Sequence, residues 1–181
     1  MATGLRIAAN ETDHIQGKLT AEIVLVEYGD YQCPHCGRAY PVIKNVQRNL
    51  GTNLKFIFRN FPLSESHPDA FNAAVAAEAA GLQHKFWEMH DIIFENQQAL
   101  DVASLFLYAK SIGLDLERFK NDIQKPEVTE KVERDFESGV RSGVNGTPSF
   151  FINEKKYEGN WEEHVFTQYL KSQLPGKIQK G

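Results

Sequence analysis

The run Glu22-Ile23-Val24-Leu25-Val26-Glu27-Tyr28 constrains this chain more than any other feature. It is a near-continuous apolar, β-branched stretch, and it predicts a strand buried in the middle of a sheet. Gly29 and Asp30 end it, and a helical pattern begins almost at once. Tyr40, Ile43, Val46 (or Gln47) and Leu50 recur at helical spacing, with Gly51 as the stop. Pro41 lies inside this helix and is expected to kink it. A second apolar strand follows from Leu54 to Phe61. Strand, helix and strand within about 40 residues have the size of a βαβ unit, with parallel strands and a right-handed crossover.

The middle of the chain reads differently. From Pro68 to about Arg141 only helical periodicity is found. Ala70 to Ala80 is an alanine-rich helix ended by Gly81. Phe86, Met89, His90 and Ile93 mark the next, Leu105, Tyr108 and Ile112 a third stopped by Gly113, and Leu116, Phe119 and Ile123 a short fourth. Pro126 opens a fifth, with Val128, Val132, Phe136 and Val140 as its apolar stripe. After Gly143 the β pattern returns. Pro148 to Asn153 and Lys155 to Glu158 predict two strands joined by a tight turn. Trp161 to Leu174 predicts a last helix, with Phe166, Leu170 and Leu174 aligned, and a polar tail from Pro175. Residues 1–20 read as a polar leader with a short strand near Leu5 to Ala8.

Bulk properties exclude several classes. At 181 residues, 41% hydrophobic and 24% charged, the chain can bury a core without disulfide staples or a structural metal. A net charge of −4 with no basic stripe argues against a nucleic-acid partner. No run approaches the length of a membrane span. The first residues lack a basic region followed by an apolar stretch and a cleavage site. The expected address is therefore cytoplasmic, or periplasmic or exported if the chain is a trimmed mature form.

The two cysteines are Cys33 and Cys36, placed where the first buried strand gives way to the first helix. Two cysteines three apart cannot scaffold a secreted fold. A cysteine attacks only as thiolate, and a helix amino terminus or a neighbouring cation lowers its pKa from about 8.5 to roughly 3.5–7.5. Cys33 at the helix start is the expected exposed attacker, and Cys36, one turn in, the resolving thiol. Pro34 suits the first helical position, and a protonated His35 beside the Cys33 sulfur would favour thiolate and a more oxidising disulfide. A zinc site needs about four ligands and the chain offers one cysteine pair, so no metal and no cofactor is expected. A buried inert pair is the remaining alternative.

The run Val26 to Gly37, Val-Glu-Tyr-Gly-Asp-Tyr-Gln-Cys-Pro-His-Cys-Gly, closely resembles the DsbA-like branch of the thioredoxin superfamily. Gly143 to Ile152, Gly-Val-Asn-Gly-Thr-Pro-Ser-Phe-Phe-Ile, is similar to that family's cis-proline segment. The resemblance covers about residues 20–174. It implies an α/β thioredoxin-like fold, made of residues 1–62 and 143–181 and interrupted by an all-helical insertion at 63–142. It implies a cis bond before Pro148, with the Thr147 backbone offered to an extended substrate peptide. It also implies that Glu27, on the strand face shared with Ile23 and Leu25, is buried near Cys36 and relays its proton. Asp30 is expected to make a turn, and His67 and His90 to be structural. Domains of this pattern also occur joined to sodium/proton antiporters.

The expected function is thiol–disulfide exchange with protein or peptide substrates and a redox partner. The direction stays open, because Pro34-His35 matches oxidising members whereas Thr147 is similar to isomerase-type ones. The alternatives are a peptide-binding or chaperone-like module with little redox turnover, and an enzyme acting on small thiol conjugates.

Overall fold

A computed structural model describes residues 4–176; the ends of the expected leader and polar tail, 1–3 and 177–181, lie outside the described residues. The buried run forms β2 (Ile23–Gly29), flanked on one side by a parallel β3 (Leu54–Asn60) and on the other by an antiparallel β4 (Ser149–Ile152). Outside these lie β1 (His14–Gly17), antiparallel to β3, and β5 (Lys155–Tyr157), antiparallel to β4. The strand order is β1-β3-β2-β4-β5, so the apolar run is the centre of the sheet. A strand with two neighbours and both faces covered has no surface for polar side chains, which is why its sequence does not alternate.

Alternate residues serve two cores. Ile23, Leu25, Phe56 and Phe58 pack with Ile43 and Val46 of α1 (Pro34–Leu50) on one face. Val26, Tyr28, Ile57 and Phe151 form the other, closed by Phe61 and by Phe136. Between β3 and β4 the chain makes only helices: α2 (Ala70–Gly81), α3 (Phe86–Glu95), α4 (Val102–Ser111), α5 (Leu116–Asp122) and α6 (Pro126–Arg141). Asp101 and Asp115 cap α4 and α5 by accepting from the backbone N–H of Ser104 and Arg118, at 3.1 and 2.9 Å. The last helix, α7 (Glu163–Ser172), packs on α1 and buries Phe166 and Leu170. The β4–β5 hairpin turns on Asn153 and Glu154, both with positive φ. Helix α1 runs through Pro41 without interruption.

Two expectations fail for identifiable reasons. Leu5 to Ala8 is not a strand, although Gly4 makes an isolated bridge to Lys155. The carbonyls of Ile7 and Ala8 instead accept from the buried guanidinium of Arg59, at 2.8 and 3.1 Å, while Asp13 accepts from its Nε and Nη2 and the Tyr28 hydroxyl from its Nη1. The strand lies further on, at His14–Gly17, an edge element with one apolar residue and thus little sequence signal. Val140 is 53% exposed and does not continue the α6 stripe. Each four-residue step drifts by about 40° around a helix, so by Val140 the inward position has passed to its neighbour. That neighbour is Gly139, which lies directly against Phe61 and Tyr28.

A Cβ at Gly139 would sit 2.6 Å from Phe61 Cδ2 and 3.0 Å from Tyr28 Cδ1. Overpacking of about 1–3 kcal/mol then outweighs the roughly 1 kcal/mol of helix propensity gained. Gly139→Ala is expected to lower the urea midpoint, with a net loss of about 1 kcal/mol. An unchanged or raised midpoint would show that α6 is free to shift away from the sheet.

Candidate functional site

Asp30 follows β2 and is 1% exposed. Its Oδ1 accepts from the N–H groups of Gln32 and Cys33, at 2.7 and 3.1 Å. Its Oδ2 accepts from the N–H of Leu63 and from His67 Nδ1, both at 2.8 Å. One carboxylate thus makes the expected turn and also ties it to the loop leaving β3. Cys33 is the N-cap of α1, with φ −67° and ψ 123°, and its carbonyl accepts the first helical bond, from Gly37 N–H at 3.1 Å. Pro34 holds the first helical position, where no intrahelical N–H is called for.

Both cysteines are free and buried, Cys33 at 4% exposure and Cys36 at 0%. Cys33 is more covered than an open attacker would be. Its Sγ–H donates to the Thr147 carbonyl at 3.5 Å, so the loop before β4 forms part of its cover. The Thr147–Pro148 bond is cis, and both residues are half-buried. Thr147 Oγ1 is itself buried without a hydrogen-bond partner.

The two sulfurs are driven apart in acidity. The hydrogen bond from the Cys36 thiol is the main cause lowering Cys33 to about 5; burial opposes it, while the backbone N–H groups of Cys36 and His35 add to it. Burial pushes Cys36 well above the ordinary thiol range, reinforced by its bond to Cys33 and by the charge of Glu27. Cys36 Sγ accepts from Asp30 N–H at 3.4 Å. His35 contributes through its backbone. Its exposed ring accepts at Nδ1 from Arg38 Nη2 at 2.7 Å.

Glu27 is 3% exposed, paired in register with Phe58 and Phe150. Burial, and then the negative charge of Cys33, raise its carboxyl to about 8. A small cavity of about 10 Å³, walled in part by Glu27, Tyr40, Lys44 and Gln47, adjoins it. That is the threshold volume for one water.

One participant has no sequence signal. Gln97, in the loop after α3, donates from Nε2 to the carbonyls of Tyr31 and Cys33, at 2.8 and 3.0 Å. A Cβ on Gly37 would overlap its amide. The helical insertion therefore grips the turn that carries Cys33, and Gly37 leaves it room. His90 lies buried among Tyr31, Phe58, Trp87 and Phe94, accepts from or donates to Tyr31 Oη at 3.0 Å, and is held far below the usual imidazole range by burial. It is structural, as expected. Among the described residues, no three His, Cys, Asp or Glu side chains are grouped to hold a metal ion, and no helix is long and apolar enough to cross a membrane.

The Thioredoxin_4 family model, described as thioredoxin, matches residues 9–172, and the chain belongs to this thioredoxin family. It is similar to a region of the Na(+)/H(+) antiporter NhaA 1 of Mycolicibacterium vanbaalenii, with 40% identity over 160 residues, 87% of this chain and 26% of the relative. The Na(+)/H(+) antiporter NhaA of Herminiimonas arsenicoxydans is 38% identical over 166 residues, 92% of this chain and 26% of the relative. The chain spans about a quarter of the length of these curated relatives. Among solved structures it resembles a thioredoxin-like oxidoreductase from Silicibacter pomeroyi, with a TM-score of 0.81 and 25% identity over 90% of this chain and 92% of that one. The fold is shared with BdbD from Bacillus subtilis, at a TM-score of 0.80 and 24% identity over 91% and 94% of the two chains. It is also shared with the thiol-disulfide exchange protein alpha-DsbA2 from Wolbachia pipientis, at 0.81 and 21% over 91% and 89%. The fold is thioredoxin-like, with the DsbA-like helical insertion between β3 and β4.

With its acidity set near 5, Cys33 is expected to be alkylated by iodoacetamide with a half-maximal rate near that pH, whereas Cys36 stays unreactive up to pH 9. Each rate is read by mass spectrometry of the dithiol protein. A Cys33 profile centred at the ordinary value of about 8.5 would mean that the donors around it do not act on the thiolate.

Proposed function

We propose that this thioredoxin-family chain is a thiol–disulfide oxidoreductase that exchanges disulfides with protein or peptide substrates. The observation that carries the reading is the placement of the pair, with Cys33 at the amino terminus of α1 against the Thr147 carbonyl and Cys36 buried one turn in. Cys33 is held as thiolate by surrounding donors, and Cys36 is held as thiol by burial. In the reducing direction, Cys33 S⁻ attacks a substrate disulfide, forms a mixed disulfide and expels one substrate thiolate. Cys36, having lost its proton, then attacks Cys33 Sγ and releases the second. The products are the Cys33–Cys36 disulfide and two substrate thiols, and the oxidising direction is the reverse. The compartment and the redox partner decide which runs, because the partner restores the pair to its starting state.

The proton leaving or returning to Cys36 is the difficult step, since that sulfur is fully buried. Glu27 is buried in the same core, its charge acts on Cys36, and burial raises its own carboxyl to about 8. We assign it the relay, with the adjoining small cavity leading toward Lys44 and Gln47. Pro148 shapes the loop that covers Cys33, and the Thr147 backbone is the edge along which a substrate peptide would lie.

A thiolate stabilised in the dithiol form makes the disulfide more oxidising. The equilibrium potential against glutathione is therefore expected to be less negative than about −270 mV. Cys36→Ser is expected to accumulate the mixed disulfide through Cys33, and Cys33→Ser to form none. No cycling and no mixed disulfide would sink the reading and leave a peptide-binding module.

Glu27→Gln separates the relay from mere packing. The folded-state pKa of Glu27 is raised, so its burial weakens the fold progressively as pH rises from about 4.5 toward about 8. The Gln variant is expected to match the wild type near pH 4 and to exceed it in urea midpoint by pH 8. Its resolving step is expected to slow by about tenfold or more. A variant whose midpoint difference ignores pH, or whose resolving rate is unchanged, would remove Glu27 from the mechanism.

A further inference from the structure

The cleft between the 62–66 loop and α6 plays no part in the dithiol chemistry above. Its volume is about 720 Å³, within the usual range of ligand sites. Leu63, Phe71, Val132 and Phe136 give it an apolar floor, and Glu65, Glu133 and Glu137 stand around it. No lysine, arginine or histidine lines it. All three glutamates are exposed. Among the described residues Glu65 and Glu133 make no ion pair, and Glu137 has only Arg141, at 4.0 Å with both side chains about two-thirds exposed. The rim therefore keeps its negative charge over an apolar surface that nothing covers.

The cleft also lies at the working end of the sheet. β2 and β3 are parallel, so the Cys33 turn and the 61–69 loop leave from the same end. Leu63, in the cleft wall, donates its N–H to Asp30 Oδ2 at 2.8 Å, and Asp30 Oδ1 accepts from Cys33 N–H at 3.1 Å. A chain running from the cleft to Cys33 stays on one end of the molecule.

We propose that this cleft docks a segment of the substrate polypeptide in which a large apolar side chain is flanked by lysine or arginine. The inference rests on the oxidoreductase reading and extends it, adding a contact that selects substrates away from the sulfur. Apolar burial on the floor would accept many chains. Three exposed carboxylates, two of them without an ion pair among the described residues, favour a cationic one and repel an acidic segment or a nucleic acid. A segment held there raises the local concentration of its own cysteine at Cys33.

The test uses the full chain and two cysteine-free peptides with the same Phe-Leu centre, one flanked by lysines and one by glutamates. Fluorescence anisotropy is expected to show binding of the lysine peptide alone, weakened by salt. The combined variant Glu65→Gln, Glu133→Gln, Glu137→Gln is expected to weaken it about tenfold, the sum of three exposed charge pairs. All three positions are on the surface, so turnover of a small-molecule disulfide should match the wild type. With a cysteine-bearing lysine peptide as substrate, KM should rise about tenfold with kcat unchanged. Equal affinity for both peptides, or a triple variant that binds as the wild type does, would overturn the proposal. So would self-association of the chain that the lysine peptide fails to displace. Turnover of small disulfides without peptide binding would sink the cleft alone. Peptide binding without any turnover would sink the oxidoreductase reading, and with it the assignment of the peptide as a substrate.

Discussion

The site depends on the placement of one buried carboxylate. Asp30 is almost without solvent, and a charge in that position persists only if its lone pairs are filled. They are filled by two N–H groups of the Cys33 turn on one oxygen, and by Leu63 and His67 on the other. The demand runs both ways. The carboxylate needs those donors, and the turn cannot relax without stranding a buried charge. The backbone at Cys33 is thus held in place by bonds that the fold itself supplies.

A second set of buried charges holds the helical insertion to the sheet. Glu78 of α2 bonds His14 and Asn60 at 2.7 and 2.6 Å, while Asp135 of α6 bonds Asn60 and Lys131. Asn60 ends β3, so both helices meet at the strand whose continuation carries Leu63 and His67. Breaking one partner would leave others buried and unpaired. This network fixes where the insertion sits, and hence where Gln97 reaches the carbonyls of Tyr31 and Cys33.

The parts of the fold readable in the sequence are those where burial forces composition. β2 and β3 show as unbroken apolar runs because both faces are covered. The helices of the insertion show as periodic stripes, until a glycine at the closest approach to the sheet replaced the expected valine. β1 and the Arg59-held amino-terminal segment did not show, because their stability comes from hydrogen bonds to a distant guanidinium and to one edge. At the site, Cys33, Cys36 and Thr147-Pro148 are local motifs and are legible as such. Glu27 stood out as an acid in an apolar strand. Gln97 gave no signal, since a glutamine after a helix is ordinary until the fold brings it against Gly37. The His35 imidazole was legible as a residue type, but its bond to Arg38 was not, because that contact depends on the turn of the helix that places the two side by side.

Gln97 has a consequence for the history of each molecule. The cysteines lie near the start of the chain, but the groups that surround Cys33 are contributed by residues near 30, 60, 97 and 147. A ribosome delivers these one after another. Until the last emerges, Cys33 and Cys36 are ordinary thiols, no more reactive than cysteines in any nascent polypeptide. The surroundings of Cys33 are therefore a property of the completed protein and not of its motif. A truncated or half-made copy would carry the same four-residue signature with only the reactivity of ordinary thiols.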